Sequence, residues 1–374
     1  MNLSYWEQQS WLTDIDYTII GSGIVGLNAA LHLRSKFPHA RVLILERGFL
    51  PNGASTKNAG FACFGSLSEI LDDLENQSEE IVVNLVRKRL AGLELLRQTV
   101  GDQHMDYKVW GGYEFFAEED EGSQAYCISR MPEVNELLKP IFHEDVFTTC
   151  GNKFSFKKIK EPLIYNKFEG QINTGKMMET LLHKVYSAGV KILNNVEVDN
   201  FSDKNGLVEV NTDNFRMFTK KLLIASNGFA SKFGIQGVKP ARAQVLVTKP
   251  IQDLKIKGTF HMDKGFYYFR NIEDRILFGG GRNLDLKGEE TTEMAQTDLI
   301  QNRLEDLLRN IILPNTPFEI DQRWSGIMGV GDTKAPMLKS ISANVVCGVR
   351  LGGMGVAIGS LTGRELAELA TGHD

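Results

Sequence analysis

Hydrophobic positions along this chain fall into two rhythms. Near the start, a short apolar run, DYTII (16–20), gives way to a helical pattern over Leu27, Ala30, Leu31 and Arg34, and then to a second run, RVLIL (41–45). Strand, helix and strand within about thirty residues predict a parallel βαβ unit, because parallel neighbours need a crossover and the helix supplies it. Ser66 and Glu69 form an S-x-x-E capping box. Leu67, Ile70, Leu71 and Leu74, then Val82, Leu85, Val86, Leu90 and Leu93, continue at helical spacing.

From about residue 106 the period shortens. YKVWGGYEFFAE predicts two strands joined by a tight turn. Residues 242–250, 258–264 and the hairpin 266–281 give further antiparallel signals with no helix between them. Residues 176–188 predict a helix and 191–198 a strand. A buried strand over 221–226 ends in Asn-Gly, and another over 344–349 precedes a glycine loop and a final helix. The chain thus alternates between two domains: residues 1–100, 170–230 and 336–374 make a parallel, nucleotide-binding type, and residues 101–169 and 231–335 a second, β-rich one.

Composition changes this picture little. The 374 residues carry a net charge of −5 with a pI near 5.9, which gives no reason to expect a nucleic-acid partner. The four cysteines (Cys63, Cys127, Cys150, Cys347) lie far apart without CxxC spacing, against a disulfide framework and against a zinc or other metal site. No apolar run approaches the roughly 20 residues of a membrane span. Glu7, Asp14 and Asp16 stand where a signal peptide over Tyr17–Leu33 would need basic residues, so a cytoplasmic protein is expected.

The first strand ends in Gly21-Ser22-Gly23-Ile24-Val25-Gly26, a G-x-G-x-x-G turn opening a helix. The first glycine permits the turn, the second lets a pyrophosphate approach the backbone, and the third lets helix and strand pack closely. The pyrophosphate then meets the positive end of the helix. Glu46, followed by Arg47, closes the second strand and is placed to accept from ribose hydroxyls. This predicts a dinucleotide site, with FAD and NAD both open. Two glycine-rich stretches bear on that choice. GASTKNAGFACFGS (53–66) carries one charge, Lys57, and is fixed between a strand and a helix cap, which suits a surface against a flat uncharged ring. Near the C-terminus, Gly355, Gly359 and Gly363 share one helix face, where each costs about 1 kcal/mol relative to Ala unless backbones pack closely. The loop before them delivers a helix N-terminus, which stabilises the negative charge of a reduced flavin.

At these residues the chain resembles the FAD-dependent oxidoreductases of the D-amino-acid oxidase type. The likeness spans nearly its whole length. It rests on DYTIIGSGIVGLNAALHL with VLILERG, GASTKNAGF, PARAQ (240–244), RWSGIMGVGD and LGGMGVAIGSLTGRELAEL. The early SYW (4–6) and the wording of GASTKNAGF look closest to the gamma-glutamylputrescine oxidase branch. The implied fold is α/β (α+β overall), a Rossmann-type FAD-binding domain interleaved with an antiparallel or mixed β-sheet substrate domain. The resemblance implies that Ser55, Thr56, Asn58, Ala59 and Gly60 run along the pyrophosphate and the ring. It also implies that Val198 meets the adenine, that Ala225, Ser226, Asn227 and Gly228 turn beside the pyrophosphate, and that Leu351, Gly352, Gly353, Met354, Gly355 and Val356 cover the flavin pyrimidine. No His lies near 53–66 and no Cys within RWSGIMGVGD, so noncovalent FAD is expected.

The implied reaction is hydride transfer from a C–H next to nitrogen of a small amine or amino acid onto flavin N5, giving an imine that hydrolyses, with oxygen or a quinone as final acceptor. A 2-hydroxy-acid dehydrogenase and a non-catalytic flavin subunit are the alternatives. Tyr267 matches a substrate-contacting tyrosine of glycine oxidase, with a packed strand aromatic an equal reading. The position of that enzyme's carboxylate-binding arginine is Met328 here. Arg350 is the expected substitute, ahead of Arg282 and Arg323, with a domain-bridging ion pair an equal reading. His261 reads as structural, and Cys63 as a packed small residue.

Overall fold

The computed structural model describes residues 2–372; Met1, His373 and Asp374, at the ends of two predicted segments, lie outside the described residues. Two eight-stranded sheets organise the chain. The first runs in the order Met337–Ser340, Val345–Val349, Arg216–Ile224, Ile15–Ile20, Val42–Leu45 and Lys191–Leu193. Ile15–Ile20 pairs in parallel with both Val42–Leu45 and Arg216–Ile224, with Ile19 opposite Ile44 on one side and Leu223 on the other. Val42–Leu45 and Val345–Val349 are buried at every position, the continuous apolar pattern of a sheet covered on both faces. A ribbon of Val198–Lys204 and Leu207–Thr212 extends the other half of Arg216–Ile224. The predicted strand 191–198 is therefore divided. Its first three residues join the parallel sheet, Asn195 turns at φ +55°, and Val198 begins the ribbon.

On one face of this sheet, the helices Ile24–Lys36, Glu79–Val100 and Gly355–Thr371 pack at backbone distance. A Cβ on Gly363 would come within 2.5 Å of Val25 O, one on Gly359 within 2.8 Å of Ile24 Cγ2, and one on Gly92 within 2.3 Å of Ala357 O. Close packing thus accounts for two of the three predicted glycines, whereas Gly355 is uncrowded. Before Glu79–Val100, Leu67–Asn76 starts with the predicted cap: Ser66 Oγ accepts from Glu69 N, and the Glu69 carboxylate accepts from Ser66 N.

The second sheet runs Ile320–Val330, Lys239–Thr248, Arg275–Gly280, Tyr267–Ile272, Thr259–Met262, Gly112–Glu114, Leu163–Asn166 and Phe147–Cys150. It is antiparallel except where Thr259–Met262 lies parallel to Gly112–Glu114. One face holds an aromatic core in which Phe260 and Phe269 stack at 4.5 Å, with Phe115, Phe154, Phe156 and Phe278 around them. Arg242, within the PARAQ motif, forms a buried two-pronged ion pair with Glu289 at 2.7 and 2.9 Å. YKVWGGYEFFAE is not a hairpin. Gly111 turns at φ +82°, Gly112–Glu114 pairs inside the sheet, and Lys108 makes only an isolated bridge to Gln171. The 20-residue helix Ser123–Phe142 escaped the periodicity because Pro132 and Pro140 interrupt it. No helix among the described residues is long and apolar enough to cross a membrane.

Candidate active site

The carboxyl ends of the parallel strands and one face of the second sheet enclose a cavity of about 1050 Å³. At its nucleotide end, Gly21 takes φ +103° and Gly26 stands so close behind it that a Cβ would lie 2.0 Å from Gly21 O. Gly23, Ile24 and Val25 bring the first turn of Ile24–Lys36 into the cavity wall. Ser55 Oγ lies against Gly23 and accepts from Ile24 N at 2.9 Å, tying the 53–66 stretch to that turn.

Glu46 lines the same end, yet its oxygens already accept from Ser22 N and Oγ (3.0 and 2.7 Å), Gly48 N (2.9 Å) and Asn52 N (3.3 Å). Four donors match the acceptor capacity of a carboxylate. Glu46 is therefore first the organiser of the turn, and a ribose hydroxyl would share one of its oxygens. Arg47 stacks its guanidinium 3.6 Å over the Phe229 ring, making a flat wall. Val198, Ala225, Ser226 and Asn227 complete this end. Four predicted residues stand behind the surface and build it. Ser22 is buried against Glu46, Gly26 against Gly21, and Thr56 donates to Pro51 O at 2.8 Å. Gly228 packs where a Cβ would strike Met328 O at 2.3 Å.

At the ring end, Asn58, Ala59 and Gly60 line the cavity mainly by being held still. Asn58 Oδ1 accepts from Gly60 N and Thr174 Oγ1, and its amide serves Ala54 O and Ser55 O. Buried Arg270 donates to Ala59 O and to Ile172 O. Gly60 is small because a Cβ would meet Ile172 O at 2.5 Å and Arg270 at 2.7 Å. Opposite lies the loop Leu351, Gly352, Gly353 and Met354, opening the helix Gly355–Thr371, with Gly355 and Val356 also in the wall. Gly352 (φ +57°) and Gly353 have open space where side chains would stand, and no side chain caps this helix.

Two expected substrate residues need correction. Tyr267 is buried in the aromatic core, with Phe278 at 6.4 Å, and does not line the cavity. Strand alternation turns its neighbour Tyr268 to the cavity instead. Arg350 (φ +64°) points its guanidinium at Ala335 O, Gly237 O and Thr333 Oγ1, and its backbone N–H donates to Asn227 Oδ1. It fastens the 351–356 loop to its surroundings and holds no carboxylate partner among the described residues. Arg323 is paired with Glu305 and also lies outside the cavity.

Arg282, by contrast, lines the cavity together with Phe266 and Tyr268, with no ion pair or side-chain hydrogen bond among the described residues; its guanidinium lies 5.8 Å from the Phe266 ring. Burial pulls its pKa down, against Glu289 and Tyr268, while burial pushes the Tyr268 phenol up to about 12. His261 is not isolated: it lines the cavity with Nε2 2.5 Å from Glu169 Oε1 and Nδ1 4.0 Å from Glu69. Burial opposes its charge, but Glu169, Glu69 and Glu114 outweigh burial and push its pKa up to about 9. Cys63 Sγ meets Met354 Sδ at 3.7 Å, and burial raises the thiol well above its usual range. Arg89, absent from every sequence pattern, is almost fully buried in the same wall. Among the described residues, no group of three or more His, Cys, Asp or Glu is arranged to hold a metal.

These features fit a flavin dinucleotide. Ser226 Oγ is buried without a partner among the described residues, two helix N-termini open on one cavity, and the glycines facing it leave room for a planar ring. The family profile of the FAD-dependent oxidoreductases (DAO) matches residues 16–369, and the chain belongs to that family. It is an enzyme whose cofactor is FAD. Among curated relatives, the probable oxidoreductase OrdL of Haemophilus influenzae is 21% identical over 383 residues, covering 96% of this chain and 83% of that one. The gamma-glutamylputrescine oxidoreductase of Escherichia coli is 22% identical, covering 96% and 84%. Glycine oxidase from Geobacillus kaustophilus shares the fold at a TM-score of 0.76 and 18% identity, covering 96% of this chain and 95% of that one.

Proposed function

We propose that this enzyme oxidises the carbon–nitrogen bond of a small amine or amino acid, with Arg282 and Tyr268 as the substrate side of the cavity. The supporting observation is the unpaired Arg282 guanidinium, which lines the cavity with Tyr268 and Phe266. A guanidinium without a partner suits a carboxylate, which it can grip with two parallel hydrogen bonds. Arg282 supplies a cavity-lining guanidinium where the matching position, Met328, has none. The names of the relatives, a gamma-glutamylputrescine oxidoreductase and a glycine oxidase, favour C–N chemistry. When bound, FAD would supply the oxidising chemistry as a hydride acceptor. The chain contributes position: loops 58–60 and 351–356 fix the ring plane, Arg282 orients the donor carbon, and the aromatic wall of Phe266 and Tyr268 limits water.

We read the cofactor as noncovalent, the compartment as cytoplasmic and the final acceptor as oxygen or a quinone. We also read residues 1–100, 170–230 and 336–374 as the FAD-binding domain and 101–169 and 231–335 as the substrate domain, a division that the membership of the two sheets favours. The test is anaerobic flavin bleaching by a panel of amines, N-methyl amino acids, D-amino acids and 2-hydroxy acids, followed by admission of air. Bleaching by an amine or amino acid is expected. Bleaching by 2-hydroxy acids alone would overturn the reading, and rapid recovery in air would identify oxygen as the acceptor.

A further inference from the structure

Arg89 is a buried charge in the cavity wall. It projects from the buried face of Glu79–Val100 and is 2% exposed. No carboxylate lies within 4 Å of it among the described residues; its hydrogen bond is from Nη1 to Phe64 O at 2.7 Å, and Nε has no partner. The neighbouring acids are otherwise engaged. Asp73 pairs with Lys334 at 2.7 Å, Asp72 with Lys264 at 2.8 Å, and Glu169 with His261. Glu69 is held by the backbone of Ser66.

An unpaired buried guanidinium is expensive unless something else in the site supplies the missing negative charge. Burial does pull its pKa below the usual value, against the pull of Glu69 and Asp73. The position of Arg89 indicates where that charge arrives. One helical turn later, Gly92 presses against Ala357 and Ile358, in the first turn of Gly355–Thr371. Phe64, whose carbonyl Arg89 holds, follows Cys63, which touches Met354 at the N-cap of that helix. Arg89 and the helix N-terminus therefore face the same end of the cavity, and both are positive.

We propose that Arg89 is the fixed cation that receives negative charge at the glycine-loop end of the cavity, chiefly that of the reduced flavin. A carboxylate bound beside the ring is the other source of the same charge. The inference rests on the FAD site and not on the choice of substrate, so failure of the amine panel leaves it standing.

The test compares R89M and R89K with the wild type as flavin-loaded proteins, without turnover. Three readouts are the two-electron midpoint potential, sulfite affinity and the shift of the flavin spectrum on benzoate binding. In R89M sulfite affinity is expected to fall at least about tenfold. The potential should fall by about 30 mV for each factor of ten by which the oxidised form becomes favoured. R89K should stay near the wild type. Loss of benzoate binding alone would support the cation while naming a carboxylate as its partner. A purely structural role for Arg89 would change melting temperature and leave all three readouts in place, and that result overturns the proposal. If R89M fails to retain flavin, R89Q and R89K give the same reading: potential and affinities must follow charge rather than size.

Discussion

The two walls of the cavity work by different means. The parallel sheet presents main chain: Gly21, Gly23, the first turn of Ile24–Lys36 and the Ala225–Asn227 turn all meet the cavity at strand ends. The second domain presents side chains: strand alternation brings Tyr268 to the cavity and sinks Tyr267 into the aromatic core, and Arg282 enters from the turn just after Arg275–Gly280. The first wall is therefore intolerant of added atoms at the packed glycines Gly21, Gly23 and Gly26. The second tolerates changes of chemistry and is sensitive to which way each residue points.

The sharpest contrast comes from Gly26→Val. Its Cβ would sit 2.0 Å from the Gly21 carbonyl oxygen, where only backbone movement makes room. Flavin content per protein should fall to near zero and stability by about 3 kcal/mol or more, read from absorbance and denaturant unfolding. Retention of full flavin in this variant would break the view that main-chain packing sets the first wall.

On the second wall, neighbouring substitutions should separate. Tyr267→Ala removes a core aromatic and is expected to cost about 3–5 kcal/mol with flavin content intact and KM little changed. Arg282→Met should leave stability within about 1 kcal/mol and raise KM about tenfold or more for a carboxylate-bearing substrate. If Tyr267→Ala moved KM and Arg282→Met did not, the placing of Tyr267 in the core and of Arg282 on the substrate side would both fail.

The smallest effect concerns His261. Its folded pKa, pushed up to about 9, lies above the roughly 6.5 of an unperturbed imidazole. The paired imidazolium therefore contributes its full stabilisation below about pH 6.5, and this is lost as pH rises through about 9. The melting temperature of the wild type relative to H261Q should decline across that window. A constant difference would show that His261 titrates nowhere within it.

Legibility followed the same division. The phosphate turn is a run of six residues whose roles are set by backbone geometry, so its spacing in the chain carried the information. The capping box at Ser66 and Glu69 was readable for the same reason. The substrate wall was harder. Tyr267 and Tyr268 are adjacent and chemically alike, and only the pairing of their strand with Arg275–Gly280 decides which one faces the cavity. Arg350 precedes the flavin loop in sequence, yet its positive φ turns it toward Thr333 and Gly237. Arg89 carries no local signal, because it sits at an ordinary position of a long helix and gains its meaning from a loop more than 250 residues away.

The sequence by itself determined the dinucleotide turn, the parallel unit around it, the helix contacts of Gly359 and Gly363 and the family resemblance, because each depends on residues close in the chain or on backbone room at named glycines. The tertiary structure decided which charged side chains meet the cavity. That outcome depends on strand pairing, on loop conformation and on which acids already hold partners. Among the described residues, Arg282 and Arg89 were left without carboxylates while Arg323 and Arg242 were paired, a difference created when distant segments pack together.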